Sequence, residues 1–204
     1  RLTMTAADRG NSIDLDSAAD LLAGIRRAHA DGAAVIVLRA EGRFFSVGGD
    51  VAAFAAADDL PLLVDDLAEA LHRVVSELVN SPAVVVSVVQ GPAAGAGLAL
   101  AAAADLVVAA ESASFTLAYT RLGLSHDGSS SLLVHSLGLH RALQLVLLND
   151  RITAAEAQAE GSDAVGPLPG DTLFLPPHWR QYDAVLDMYQ DQALIQIKTV
   201  EFDA

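Results

Sequence analysis

The stretch that most constrains the fold runs from Ser87 to Asp105, SVVQGPAAGAGLALAAAAD, where a strand, a glycine-rich turn and a helix start follow one another without a spare residue. Val84, Val85, Val86, Val88 and Val89 are β-branched and uncharged, the composition of a strand buried on both faces. Gly91 and Pro92 end it. From Gly95 to Ala104 every residue is small or leucine, which suits a helix but leaves no side chain long enough to cover its first turn. Backbone N–H groups at a helix start have no internal partner, and the peptide dipoles add partial positive charge, so this turn is predicted to favour an anionic oxygen. Tight packing of an Ala/Gly helix on a sheet gives the same pattern, because glycine-rich turns are common.

The uncharged run at residues 83–104 covers 22 positions, enough to span a bilayer. Gln90, Gly91 and Pro92 fall in its middle, and alanine contributes far less than leucine to insertion, so no membrane association is expected. No signal pattern precedes the first strand, which makes a cytoplasmic protein the expectation. Cysteine is absent, which excludes disulfides and thiolate metal sites, and no other metal-ligand spacing occurs. The net charge of −14 argues against nucleic acid, which needs clustered cations. With only Lys198 and eleven arginines, a phosphorylated ligand must be held by a few local arginines and backbone amides.

Along the chain, Leu2 to Thr5 reads as a strand stub running into the turn Asp8-Arg9-Gly10-Asn11. Asp14 or Asp16 caps a helix whose inward face is Leu15, Ala19, Leu22 and Ile25, closed by Gly32. Val35 to Leu38 is a buried strand, and Glu41 to Val51 is a loop folding back over it, with Gly48 and Gly49 allowing close backbone approach to a ligand. Leu62 to Leu78 is an amphipathic helix stopped at Asn80-Ser81-Pro82. After the central stretch come a strand at Asp105 to Ala110, a further extended piece at Ser114 to Leu117, and two helices, Ser129 to Leu137 and Leu139 to Leu148. Thr153 and Glu156 form a capping box for a last short helix ending at Gly161. Strands alternating with helices give a layered α/β architecture. Beyond Gly166 the character changes: Pro167, Pro169, Pro176 and Pro177 crowd a linker, and Tyr182 to Ile197 could form one amphipathic helix. The reading is a core at residues 1–166 and an atypical tail at residues 167–204.

Phe45-Ser46-Val47-Gly48-Gly49-Asp50, then Gln90 to Gly97, then Phe115 to Ser131 resemble the crotonase superfamily of enoyl-CoA hydratases and isomerases. Asp8 to Ser12, Gly138 to Ala142 and Thr153 to Ala157 extend the likeness, which covers about residues 2–161 and raises the anion-stabilising reading of the glycine turn over plain packing. The resemblance implies a crotonase-like spiral of repeated strand-strand-helix units with a short atypical C-terminal segment, assembled as a homotrimer or a hexamer. It implies an acyl-CoA substrate, with coenzyme A present only as part of that substrate and no tightly bound cofactor. Its thioester oxygen would be held by the backbone N–H groups of Gly49 and Ala96. The loop bearing Val47, Gly48 and Asp50 would meet the folded CoA, with Arg9 and Arg43 as candidates for its phosphates. The lysine frequent after the Gly-x-Asp is Ala52 here.

The two glutamates that serve water addition in the hydratases correspond to Ala99 and Tyr119, neither of which exchanges protons with water near neutral pH. What remains is Asp127, where isomerases and dehalogenases of the family carry their working aspartate. An Asp-Gly pair is also a common turn. His126 reads as a solvent-facing loop histidine, with pairing to Asp127 as the alternative. Leu98, Ala99, Tyr119, Leu124 and His126 are the expected pocket residues. The leading expectation is a double-bond isomerase using Asp127. The alternatives are a degenerate CoA-binding or assembly protein, and a hydratase or dehalogenase-like activity. A Ser-His-Asp hydrolase is disfavoured, since Ser125, His126 and Asp127 are neighbours and no Gly-x-Ser-x-Gly elbow occurs.

Overall fold

The computed structural model describes residues 1–126 and 128–159. In chain order they form β1 (Leu2–Met4), α1 (Leu15–Ala30), β2 (Val35–Ala40), α2 (Val51–Ala56), α3 (Leu60–Val79), β3 (Val84–Val89), β4 (Ala93–Ala94), α4 (Ala96–Ala102), β5 (Leu106–Ala109), β6 (Ser114–Thr116), α5 (Leu132–Leu137), α6 (Leu139–Leu148), β7 (Ile152–Thr153) and α7 (Ala154–Ala159). Short 3-10 turns lie at Ala7–Arg9, Tyr119–Leu122 and Gly128–Ser131. Asp127, the tail helix expected at Tyr182 to Ile197 and the boundary expected near Gly166 lie outside the described residues.

The main sheet is parallel, ordered β1-β2-β3-β5. β3 lies inside it, paired on both sides, with Ser87 opposite Leu38 on one neighbour and Val107 on the other. Its β-branched run is what a doubly flanked strand requires: Val85 and Val89 are fully buried. The Asp105 carboxylate accepts from the Val85 N–H at 2.8 Å, tying the approach to β5 to the start of β3. A second sheet is ordered β4-β6-β7, with β4 parallel to β6 and β6 antiparallel to β7.

Asp14 is the residue that caps α1, accepting from the Ser17 N–H at 2.8 Å while Ser17 Oγ accepts from the Asp14 N–H at 2.9 Å. The buried face of α1 is Ala18 and Ile25, with Leu21 and Leu22 packed alongside. Leu15 and Ala19, expected inside, are exposed. An alanine-rich helix carries little periodic signal, so contact with α3 and with Leu2, which packs on Gly24, decides the rotation. α3 starts at Leu60, two residues earlier than expected, because Asp59 caps it by accepting from the Leu62 N–H and Pro61 sits in the first turn. Its inward residues Leu67, Leu71, Val74, Val75 and Leu78 are buried. Each such aliphatic side chain stabilises the fold by about 1.5–3 kcal/mol relative to exposure.

The long uncharged run is divided by the turn at Gly91 between β3 and α4. No helix among the described residues is long and apolar enough to cross a membrane. The capping box at the last helix is present: the Thr153 N–H donates to Glu156 Oε2 at 2.7 Å, and the Glu156 N–H donates to Thr153 Oγ1 at 3.2 Å.

Candidate functional site

Two backbone segments meet where β4 runs into α4. The loop at residues 44–50 lies alongside β4: Ser46 bridges Ala93, the Ala94 N–H donates to Ser46 O at 2.9 Å, and the Phe45 N–H donates to Pro92 O at 3.1 Å. Glycine is forced at this crossing by space. A Cβ on Gly91 would stand 2.0 Å from Arg43 O, and one on Gly97 would stand 2.5 Å from Ser46 O and 2.7 Å from Ser46 Cβ. Gly48, at φ +91°, backs onto the same turn, where a Cβ would lie 2.8 Å from Ala94 O and 3.4 Å from the Ala96 nitrogen.

The directions of two N–H groups follow from their neighbouring carbonyls, because a trans peptide sends C=O and N–H to opposite sides. Gly48 O accepts from the Ile13 N–H at 2.8 Å, which turns the Gly49 N–H away from Ile13. Gly95 O accepts from the Leu98 and Ala99 N–H groups at 3.0 and 3.2 Å, which turns the Ala96 N–H out of the start of α4. Among the described residues neither N–H has an acceptor. Gly95 itself holds φ 52° and ψ −122°, a conformation that suits glycine alone.

Buried polar side chains fix this backbone. Ser46, fully buried, donates from Oγ to Asn11 O at 2.8 Å and accepts from the Gly48 N–H at 3.2 Å. Asn11 Nδ2 donates to Glu41 O and Phe44 O at 2.9 and 2.8 Å, and Gln90 Nε2 donates to Gly42 O and Phe44 O at 3.1 and 3.0 Å. The sequence reading placed these three residues in motifs but gave their side chains no role. Asn11, in the turn that begins at Asp8, holds a left-handed φ of 53°, which asparagine tolerates.

Asp50 caps α2, with Oδ1 accepting from the Ala52 and Ala53 N–H groups at 3.0 and 3.1 Å. Its other oxygen accepts from Arg9 at 3.2 Å and Ser12 at 3.4 Å. Arg9 is shared with Asp14 at 3.0 Å, so both of its partners are carboxylates of this loop and helix start. The hydrogen bonds from Ser17, reinforced by Arg9, lower the Asp14 carboxyl from its ordinary 3.8 to about 2. Arg43 lies over the Phe44 ring, 5.2 Å from its centroid. Val47 is exposed beside it in sequence, with a methyl group against Gly10.

Leu98 and Ala99 are buried on α4, Ala99 at 3% exposure. Tyr119 opens the 3-10 turn that follows Ala118, an alanine held at φ 59°. A Cβ on Gly95 would lie 4.0 Å from Tyr119 Cζ, so the phenol ring stands near the turn before α4. The Leu124 N–H donates to Tyr119 O at 3.1 Å, closing the loop. His126 does not face solvent as expected. It is half-buried, its Nε2 donates to Val146 O in α6 at 2.9 Å, and its ring stands edge-on to Tyr119 with centroids 5.1 Å apart. His126 Nδ1 is buried and has no hydrogen-bond partner among the described residues.

Tyr119, Leu124, His126 and the Gly95 turn are thus brought together, with Gly48 apposed to the same turn. Among the described residues no group of three or more His, Cys, Asp or Glu side chains is placed to hold a metal. A surface cleft of about 380 Å³ between β1, α1 and β2, lined by Leu2, Gly24, Arg27 and Ala28, contains none of these residues.

Residues 1–166 match the family model described as enoyl-CoA hydratase/isomerase, and residues 148–204 match a second one described as pyridoxal phosphate biosynthetic protein PdxA. The chain is 36% identical over 198 residues to a Rhodobacter capsulatus protein named "Probable enoyl-CoA hydratase", covering 97% of this chain and 75% of that one. It is 31% identical over 165 residues to the trans-2-decenoyl-(acyl-carrier-protein) isomerase of Streptococcus mutans, covering 78% and 62%. The crystal structure of an enoyl-CoA hydratase from Mycobacterium avium subsp. paratuberculosis superposes with a TM-score of 0.70 at 35% identity, covering 78% of this chain and 63% of that one. The chain thus spans less than two thirds of the latter two proteins.

Proposed function

The chain belongs to the enoyl-CoA hydratase/isomerase family, and from that premise we propose that it binds an acyl-CoA thioester and moves a carbon–carbon double bond along the acyl chain without adding water. The observation that carries this reading is the pair at Ala99 and Tyr119. Where the resemblance places the two water-handling glutamates, this chain has a buried methyl group and a phenol ring near Gly95. Neither supplies a carboxylate, so activation of water has no base and no acid at those positions.

Isomerisation needs less. A carboxylate takes a proton from C2 of a 3-enoyl thioester, the electron pair spreads onto the thioester oxygen, and the resulting dienolate is reprotonated at C4, leaving the double bond at C2–C3. The Gly49 and Ala96 N–H groups are the assigned donors to that oxygen, each worth roughly 3 kcal/mol by analogy with other oxyanion holes. Asp127 is the assigned base, on the strength of the resemblance. The names of the relatives support a thioester substrate, and one of them is an isomerase. Arg43 is the assigned phosphate contact in preference to Arg9, which two carboxylates already hold. Homotrimeric or hexameric assembly and a cytoplasmic location belong to the same proposal, which is confined to residues 1–166.

The experiment supplies the protein with 3-enoyl-CoA and, separately, with crotonyl-CoA. Appearance of the conjugated 2-enoyl product with slow hydration is expected, and brisk hydration without isomerisation overturns the reading. Asp127→Asn should lower isomerisation by about 100-fold or more with acyl-CoA affinity retained. Near-wild-type activity in that variant would reduce Asp127 to a turn residue, which Asn serves equally well. The buried Ala99 also suits a second reading, thioester binding without turnover, which titration with acyl-CoA separates from the first.

A further inference from the structure

We propose that Asn11 is a positioning residue for the Gly49 N–H donor, an inference that rests on the oxyanion reading above. The peptide carrying this N–H begins at Gly48, and hydrogen bonds hold Gly48 on both sides. The Ile13 N–H donates to Gly48 O, the carbonyl of that same peptide, at 2.8 Å. The Gly48 N–H donates to Ser46 Oγ at 3.2 Å, and Ser46 Oγ in turn donates to Asn11 O at 2.8 Å. Both routes lead back to residues 11–13. The Val47 N–H on Gly10 O and the Asp50 N–H on Ile13 O, each at 3.1 Å, seat the neighbouring residues of the loop on the same segment.

Asn11 gives this segment its shape. Gly10 at φ 65° and Asn11 at φ 53° are consecutive left-handed residues, and they turn the chain so that Gly10 O and the Ile13 N–H both meet the loop. Glycine takes that conformation freely, whereas another residue keeps it only where its surroundings enforce it. At Asn11 the enforcement is visible. Its N–H donates to Ala6 O at 2.8 Å, and its Nδ2 donates to Glu41 O at 2.9 Å and to Phe44 O at 2.8 Å, with the residue 2% exposed. The side chain thus ties the turn to the stretch that leads into Ser46. Gly48 and Gly49 have no side chains to fix the peptide between them, so its direction depends on these hydrogen bonds. Without the side chain of Asn11 the turn relaxes, and the Ile13 bond to Gly48 O loosens with it. Rotation of that peptide aims its N–H off the developing enolate oxygen while most of the CoA contacts stay in place, so the loss belongs in kcat rather than KM.

The test uses the full chain with Asn11→Gly, which suits the left-handed φ but removes both side-chain hydrogen bonds, and Asn11→Asp, which keeps the shape but replaces Nδ2 by an oxygen. The first readout is the carbonyl stretch of bound butanoyl-CoA, isotopically labelled at the thioester carbonyl, which reports polarisation by the donors without needing turnover. The second is the kinetics of 3-enoyl-CoA isomerisation. Both are recorded well below the melting point of each variant, where a residue that only stabilised the fold would leave them unchanged. Each variant should weaken the polarisation and lower kcat by roughly 10- to 100-fold, with KM within about 3-fold, the scale expected for an ångström-level misplacement. An unchanged carbonyl stretch, a wild-type kcat or a loss confined to KM in either folded variant overturns the proposal. Should both fail to fold, Ser46→Ala, which cuts the link from Asn11 O to the Gly48 N–H, takes their place with the same expected and overturning results. Wild-type protein that polarises the thioester but isomerises nothing overturns the isomerase reading alone and leaves the carbonyl stretch to decide on Asn11. Wild-type protein that binds acyl-CoA without polarising it, or does not bind it, overturns the oxyanion reading and this proposal together.

Discussion

Gly97→Ala adds one methyl group in the first turn of α4 and tests whether that helix must touch the Ser46 loop. Gly97 has no left-handed torsion, so the whole effect is contact. The new Cβ would lie 2.7 Å from Ser46 Cβ and 2.5 Å from Ser46 O, whereas ordinary contact begins at 3.4 Å, so the helix or the loop must retreat by about 0.7–0.9 Å. Neither partner gives way easily. Ser46 is held by Asn11 O and by the Gly48 N–H, and α4 is buried along most of its length. Forcing a methyl into such a place costs about 1–3 kcal/mol. The same retreat widens the gap between the Gly49 and Ala96 segments, and a displacement near 1 Å lowers turnover by roughly 100-fold. Urea unfolding and isomerase kinetics measure the two effects, with Gly24→Ala as control. There the added Cβ meets only the flexible end of Leu2, 2.8 Å away, within a helix that favours alanine. If Gly97→Ala unfolds at the wild-type midpoint and turns over at the wild-type rate, the close packing of α4 on Ser46 is not what holds the site together.

Three further outcomes are expected. Ser46→Ala strands Asn11 O and the Gly48 N–H in the interior and should cost about 2 kcal/mol, a fall of roughly 4–8 °C in Tm by calorimetry. Asp14 has a folded pKa of about 2 against an ordinary 3.8, so its contribution is complete above the ordinary value and is lost as pH falls through the folded one. Asp14→Asn should therefore flatten the stability curve between about pH 4 and pH 2, as urea midpoints across that range will register. At Ala118 the left-handed φ should make glycine tolerable, within about 1 kcal/mol of the wild type, and valine costly by about 2 kcal/mol, since a β-branched residue suffers most there. Equal stabilities for Ala118→Gly and Ala118→Val would remove strain from the account of Tyr119.

The strand, turn and helix from Val84 to Ala102 were legible because their constraints are local: β-branched residues for a strand paired on both sides, and small residues where two backbones touch. α2 was missed, since Val51 to Ala56 is short, has no fully buried residue and reads as a continuation of the loop. β4 is two residues long and exists only through its pairing with β6 and its bridge to Ser46, which no local pattern announces. The choice of Ala18 over Ala19 as the inward residue of α1 depends on packing, not on periodicity. At the site, motif order singled out Gly48, Gly49 and Ala96, and the structure brings Gly48 against Ala94 O and the Ala96 nitrogen. The roles of Ser46, Asn11 and Gln90 were not, because each is defined by a carbonyl or N–H distant in sequence. His126 looked like a surface residue for the same reason: its partner, Val146 O, is twenty positions away on another helix.

The two N–H groups at Gly49 and Ala96 belong to the main chain, which makes them invisible to replacement scanning: every amino acid except proline carries the same N–H. Mutational maps of this protein will register the residues that shape the crossing, such as Gly91, Gly97 and Ser46, and will pass over the atoms proposed to do the chemistry. Removing one of those donors without disturbing its neighbours requires changing the polymer itself, an ester in place of the Gly48–Gly49 or Gly95–Ala96 amide, introduced by chemical ligation.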